Sequence, residues 1–184
     1  GDIATPLREL VGKQRNVQVL LGEVTNVYPE GKQIVFNGKA YSYDHLVLAT
    51  GSGSTFFGHD EWRTFAPPMK ILEHAEEIRR RLLMAMEQAE QTPDSDARQF
   101  LQTVVIVGAG PSGCEMAGAV SELMHWALKN AFKQLDPKKT RIVLVDPGDR
   151  VLRAMPEMLS EAALKSLKAD GIEFLAKGRV QTMR

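Results

Sequence analysis

Apolar side chains fall at alternate positions early in the chain. Val17, Val19 and Leu21 alternate with more polar neighbours, which predicts a half-buried strand. Val24 and Val27 follow, then the turn Pro29-Glu30-Gly31-Lys32. The run Gln33-Ile34-Val35-Phe36 leads to the hairpin signal Asn37-Gly38, and Ala40 to Tyr43 returns. This predicts a three-stranded antiparallel meander. His45-Leu46-Val47-Leu48-Ala49 is nearly continuously apolar, the mark of a strand buried on both faces in a parallel sheet. It stops at Thr50-Gly51-Ser52-Gly53-Ser54, a loop that lets the backbone come close to another group.

Beyond Pro67-Pro68 the period becomes helical. From Lys70, the residues Ile71, Ala75, Ile78, Leu82, Ala85 and Ala89 share one stripe opposite a charged face. Gln91 to Gln99, with Pro93-Asp94-Ser95-Asp96, reads as a polar linker. Thr103 to Val107 predicts a second buried strand, followed by a glycine turn. A long helix comes next, with the stripe Met116, Val120, Leu123, Ala127 and Ala131, expected to run on through Leu135. Arg141 to Val145 predicts a third strand, Ser160 an N-cap for a helix over Glu161–Ala169, Gly171 its stop, and Ile172 to Leu175 the last strand. Alternating strands and helices over 103–175 predict an α/β fold with a Rossmann-like parallel sheet and helices on both faces, beside the small antiparallel meander.

The turn after Val107 is Gly108-Ala109-Gly110-Pro111-Ser112-Gly113, a GxGxxG in its required setting between a buried strand and an amphipathic helix. In that setting Gly108 allows the tight turn, Gly110 lets a pyrophosphate approach the backbone, and Gly113 lets helix and strand pack closely. The helix N-terminus offers free N–H groups and partial positive charge to phosphates. A ribose partner is expected at the end of the next strand, where Asp146 stands. A carboxylate there accepts from ribose hydroxyls and repels a 2′-phosphate, which favours NAD over NADP. Asp146 lies 33 residues past Gly113, against a usual interval of about 20, and Arg150 nearby argues the other way on NADP. Asp146 also reads as a plain turn residue before Pro147-Gly148. Glu115, two residues past the last glycine, reads either as a dipole-stabilised acid of the first helical turn or as a functional acid beside the nucleotide.

Composition narrows the field. The chain has 23 basic and 23 acidic residues and so no electrostatic footprint for nucleic acid. The single cysteine, Cys114, excludes an internal disulfide and reads as a small packing residue in a reducing compartment. The histidines lack metal-ligand spacing, so no metal site is expected. No apolar run reaches the roughly 18–20 residues of a membrane helix, and Gly1 to Gly22 has no continuous apolar core of a secretory leader. The expectation is a cytoplasmic protein.

The segments Tyr43 to Ser52, Phe57-Gly58 and Val107 to Gly118 resemble the two-dinucleotide-domain flavoproteins. Within them, the long helix, Phe132…Leu135-Asp136-Pro137…Thr140 to Asp146 and Arg150-Val151-Leu152 are most similar to type II NADH dehydrogenases, the single-subunit NADH:quinone oxidoreductases. The resemblance implies hydride transfer from NADH to FAD and then electrons to a quinone. Under it, Gly108, Ala109, Gly110, Pro111, Ser112 and Gly113 hold the NADH pyrophosphate, and Asp146 takes the ribose. Glu115 matches an acid near the nicotinamide and flavin, and Ala49-Thr50-Gly51 matches a loop that touches FAD. It also implies a protein peripheral on the inner face of the membrane.

Asn16 to Val24 repeats, with one inserted residue, as Gly171 to Val180. In the resembling proteins both domains share one layout, so residues 1–65 read as a remnant of an FAD-binding domain. Residues 66–184 then read as an NAD(H)-binding domain truncated at its C-terminal end. The first FAD-binding GxGxxG, a later Gly-Asp segment and C-terminal membrane-binding helices have no counterpart in this sequence. The segment is therefore expected to be a central piece that binds no FAD and turns over no quinone alone. His45–Ala49 is expected to pair beside Thr103–Val107, within one chain or across a swapped homodimer. The alternatives are a piece of a ferredoxin, sulfide:quinone or disulfide reductase, or a non-catalytic NAD-sensing module.

Overall fold

The computed structural model describes residues 5–183, which form two compact units, 5–53 and 54–183. The first unit opens with a short helix, α1 (Leu7–Val11), whose Arg8 guanidinium donates to the carbonyl of Val19 at 3.0 Å. Its strands β1 (Val24–Tyr28), β2 (Gln33–Phe36) and β3 (Lys39–Ser42) form the expected antiparallel meander in the order β1-β2-β3. The β2–β3 hairpin closes through Asn37 and Gly38, at φ 47° and 75°. Two positive φ angles in a two-residue turn match the right-handed strand twist, which is why Asn-Gly serves there.

Two expected strands of this unit do not form. Residues 17–21 carry no ladder, and Leu21 is 94% exposed. His45–Ala49 is likewise outside any strand, with Val47 86% exposed. Apolar alternation supplies a face but no hydrogen-bonded neighbour, and a strand without one leaves its backbone groups to water. Among the described residues His45–Ala49 joins no ladder, so the expected strand pairing beside Thr103–Val107 does not form there.

In the second unit the helical period after Pro68 becomes α2 (Leu72–Gln91). The stretch 91–99, expected as a linker, instead contains α3 (Ser95–Leu101). Asp94 is its N-cap, accepting from the Ala97 N–H at 2.7 Å, so the polar residues that suggested a loop are capping residues. Strands β4 (Thr103–Val107), β5 (Arg141–Asp146) and β6 (Ile172–Ala176) form a parallel sheet in that order. The crossovers carry α4 (Pro111–Asn130) and α5 (Glu157–Ala169). This is the Rossmann-like α/β arrangement that the pattern predicts, except that among the described residues the helices lie on one face of the sheet and not on both.

The register sets Val104, Ile142 and Ile172 side by side, and Ile106, Leu144 and Phe174 after them. That face packs on Ala117, Val120, Met124 and Leu128 of α4, Leu167 of α5, and Met86 and Ala89 of α2 in one core. The other face carries Val105, Val107 and Leu175, each more than half exposed, and the Arg141–Glu173 ion pair at 2.8 Å.

Helix α4 ends at Asn130, not Leu135. The chain then leaves the helix because Glu90 of α2 captures the N–H groups of Lys133 and Gln134, at 2.9 and 3.0 Å. Asp136 caps the following turn, Pro137–Lys139. The long interval between Gly113 and Asp146 is thus a 20-residue helix plus this tethered connection. Helix α5 begins at Glu157 after Pro156, so Ser160 is not its cap. Ser160 lies buried one turn inside, with its hydroxyl donating to the carbonyl of Val151.

Candidate functional site

At the C-terminal edge of the parallel sheet, the glycine turn joins β4 to α4. Gly108 stands at φ +104°, a conformation that L side chains rarely adopt, and its N–H donates to the Val145 carbonyl at 2.7 Å. Ala109 is buried; its N–H donates to Asp146 Oδ2 at 2.8 Å and its carbonyl accepts from the Leu152 N–H at 2.8 Å. Gly113 faces the strand so closely that a Cβ there would stand 1.8 Å from the Gly108 carbonyl oxygen.

Gly110 differs from both. Its φ is −75°, and a Cβ added to it would meet nothing within 4 Å. Nothing in the fold of the described residues requires glycine at 110; open space above the backbone is what it provides. Gly110 is also the N-cap of α4, and no side chain accepts from the first turn of that helix. Pro111 has no N–H to offer, so the donors of Ser112 and Gly113 face the open space with the positive end of a 20-residue helix behind them. Pro111 and Ser112 are exposed. The arrangement suits a phosphate or pyrophosphate.

Asp146 ends β5 beside this turn, and its side chain is only 13% exposed. Besides Ala109, it accepts from the Gly148 N–H, at 2.7 Å through Oδ1, and Arg153 Nε lies 3.9 Å from that oxygen. The ribose candidate and the turn residue are thus one: the carboxylate clamps the glycine turn to its own turn. Each oxygen keeps lone-pair capacity for a further donor.

Glu115 is the fifth residue of α4, which begins at Pro111, so it lies past the first turn and the dipole account of it does not hold. Its side chain is exposed, and no hydrogen bond or ion pair to it appears among the described residues. Cys114 sits half-buried with its thiol 3.6 Å from the Ala109 carbonyl. Burial, and then the charges of Asp146 and Glu115, push its pKa up, which keeps it a protonated packing group. Ala49-Thr50-Gly51 is an exposed loop of the first unit, with Gly51 at φ +71°.

The turn at Asp146-Pro147-Gly148 is the one the sequence allowed for; what the sequence did not show is that the Asp146 carboxylate holds it through the Gly148 N–H. Arg150, expected to bear on NADP, is tied instead to the carbonyls of Met155 and Arg153, at 3.1 and 3.0 Å. Two clefts lie at the opposite edge of the sheet. One of about 680 Å³ is lined by Ser121, Glu122, His125 and Asp170, and one of about 170 Å³ by Leu128, Lys138 and Ile142. In open α/β sheets ligands sit at the carboxyl ends of the strands, where the glycine turn is. Among the described residues no group of three metal-ligating side chains exists, and no helix is long and apolar enough to cross a membrane.

Comparison with known proteins agrees with this geometry. A family model described as pyridine nucleotide-disulphide oxidoreductase matches residues 2–184. The chain is 44% identical over 178 residues to the type II NADH:quinone oxidoreductase Ndh of Mycobacterium tuberculosis, which covers 95% of the chain and 38% of that protein. It is 38% identical to NdhA of the same organism, over 94% of the chain and again 38% of that protein. The chain thus spans under two-fifths of the length of these relatives. Among solved structures, NDH2 from Plasmodium falciparum in complex with NADH superposes with a TM-score of 0.71 at 22% identity, covering 85% of this chain and 33% of that one. A ferredoxin reductase from Rhodopseudomonas palustris superposes at 0.61 and 20% identity, over 91% and 35%. At those identities the superpositions establish the shared fold.

Proposed function

The chain belongs to the pyridine nucleotide-disulphide oxidoreductase family, and from that premise we propose that it is the NADH-binding part of a flavin-dependent NADH:quinone oxidoreductase. The observation that carries the proposal is the open space over Gly110 at an uncapped helix N-terminus, with Asp146 accepting from the N–H of the preceding residue, Ala109. A dinucleotide has matching parts. Its pyrophosphate takes the Ser112 and Gly113 N–H groups, and its adenosine ribose reaches the Asp146 carboxylate. The 44% identity to a type II NADH:quinone oxidoreductase supports quinone as the final acceptor.

When bound, NADH supplies a hydride and FAD accepts it. The residues of this chain bind and orient. The glycine turn fixes the pyrophosphate, and Asp146 holds the turn in shape. Glu115, exposed past the first turn of α4 and without a hydrogen-bond partner among the described residues, is assigned to the nicotinamide end of the site on the family resemblance. Ala49-Thr50-Gly51 is assigned to the flavin on the family resemblance. Association with a membrane surface follows from a quinone acceptor.

Calorimetric titration of the chain with NADH tests the binding reading. Saturable binding that Gly110→Val removes is expected. Absence of binding by the folded chain overturns it. For the full-length protein containing this chain, NADH-dependent quinone reduction is expected, and flavin-independent turnover or none would defeat the catalytic reading.

A further inference from the structure

Two serines are buried in the second unit, each 3% exposed. Ser121, in α4, donates to the Asp170 carbonyl at 2.8 Å, at the edge of the sheet away from the glycine turn. Ser160, in α5, donates to the Val151 carbonyl, nine residues back and outside its own helix. A serine inside a helix costs some stability relative to alanine, and its hydroxyl commonly turns back to a carbonyl of the preceding turn. The Ser160 hydroxyl instead leaves its helix for the loop between β5 and α5.

That loop meets the glycine turn through one peptide. Val151 is fully buried, and its carbonyl shares a peptide plane with the Leu152 N–H, which donates to the Ala109 carbonyl at 2.8 Å. The Ala109 carbonyl in turn shares a plane with the Gly110 N–H. Both peptides are trans and rigid, so a bond made at the oxygen fixes the direction of the N–H on the far side. A continuous chain results. The Ser160 hydroxyl holds the Val151 carbonyl, the Leu152 N–H holds the Ala109 carbonyl, and the Gly110 N–H is thereby aimed. Linked bonds of this kind polarise one another, so the first strengthens the next.

The fold keeps this chain in place at a cost. Leu152 sits at φ 51°, which a non-glycine residue retains only where its surroundings over-determine it. Arg150 braces the following turn through the carbonyls of Arg153 and Met155, and the Met155 N–H returns to the Leu152 carbonyl. Ser160 is the side chain that bonds the Val151–Leu152 peptide itself. At the other end stands Gly110, with open space over it and no side chain capping the helix it begins.

We propose that Ser160 is a positioning residue for the pyrophosphate: its hydroxyl sets the Val151–Leu152 peptide, which orients Ala109 and Gly110 in the turn that receives the ligand. The proposal rests on the nucleotide-binding reading of the glycine turn. It extends that site to a buried residue of α5 that lies outside it.

Ser160→Ala and Ser121→Ala form a matched pair, since each removes one buried hydroxyl that holds a backbone carbonyl. Both are expected to lower the urea midpoint. Calorimetric titration, where circular dichroism shows each chain folded, is expected to find NADH bound about threefold or more weakly by Ser160→Ala and within about twofold of the unaltered chain by Ser121→Ala. A role confined to stability moves the midpoint and leaves the affinity of the folded chain alone. Hydrogen exchange without ligand gives a second readout. The Leu152 amide is expected to exchange faster in Ser160→Ala, while the Lys177 amide, bonded to the Gly148 carbonyl at 2.7 Å, keeps its rate. Should the alanine variant not fold, Ser160→Cys under reducing conditions keeps a weak donor and is expected to show both changes in smaller degree. A loss below about threefold in folded Ser160→Ala, no change in either readout in Ser160→Cys, or an equal loss in Ser121→Ala overturns the proposal and leaves the glycine-turn reading intact. No NADH binding by the folded, unaltered chain overturns both.

Discussion

Gly113 lies directly against Gly108: a single methyl group added at 113 would stand 1.8 Å from the Gly108 carbonyl oxygen and 2.9 Å from its carbon. The obstacle is backbone, which cannot rotate aside, and it belongs to a residue already at φ +104°. Gly113→Ala is therefore expected to destabilise the chain by the upper part of the overpacking range, about 3 kcal/mol or more. Urea unfolding measures it. A midpoint unchanged from the unaltered chain would show that α4 can lift off β4 at no cost.

Gly110→Val should behave oppositely. No atom lies within 4 Å of its missing Cβ, and its φ of −75° is ordinary. The fold is expected to survive with a stability change of less than about 1 kcal/mol, while NADH binding disappears because the side chain fills the pyrophosphate's space. Circular dichroism and titration of the same sample give both numbers. A folded variant with unaltered NADH affinity would remove the phosphate role from this turn.

Asp146→Asn separates the two duties of this residue. An amide side chain has one acceptor oxygen, so either the Ala109 or the Gly148 N–H loses its partner, and Ala109 is buried. A loss of about 1–3 kcal/mol is expected in the nucleotide-free chain. Denaturant unfolding without NADH would reveal it; no loss there, with weakened NADH binding, would make Asp146 a ribose ligand only.

Glu77 gives an acid-range signature. Hydrogen bonds from Arg80 and Arg81, of 2.6–2.9 Å, hold its pKa down to about 2 from an ordinary 4.5. Arg81 also donates to the carbonyls of Thr64 and Phe65, so the cluster ties the turn Asp60–Thr64 to α2. A depressed folded pKa means that stabilisation is present above 4.5 and is lost as pH falls towards 2. Glu77→Gln is expected to flatten that part of the stability–pH curve, with a small effect because the groups are exposed. An identical slope in both proteins between pH 4.5 and 2 would refute the assignment.

Local chemistry alone carried much of this reading. The meander was legible because Asn37-Gly38 dictates a turn that matches strand twist. The sheet strands at 103, 141 and 172 were legible because their apolar runs are bounded by glycines and prolines. The glycine turn was legible because each of its glycines answers a separate steric demand, which the backbone angle of Gly108 and the contact at Gly113 bear out. What depended on distant partners was not legible. His45–Ala49 has the side chains of a buried strand and no ladder to join, and Ser160 has the chemistry of a cap and bonds Val151 instead. Helix α4 stops at Asn130 because Glu90, on another helix, takes the next free N–H groups. Arg150 and Arg153 look alike in the sequence. Only the hydrogen bond from Leu152 to Ala109 and the packing over Gly148 decide that the first braces the turn while the second lies beside the Asp146 carboxylate. Sequence determines what a residue can donate, accept or bury; the tertiary fold decides which partner lies within about 3 Å of it, and short-range forces act only at that distance.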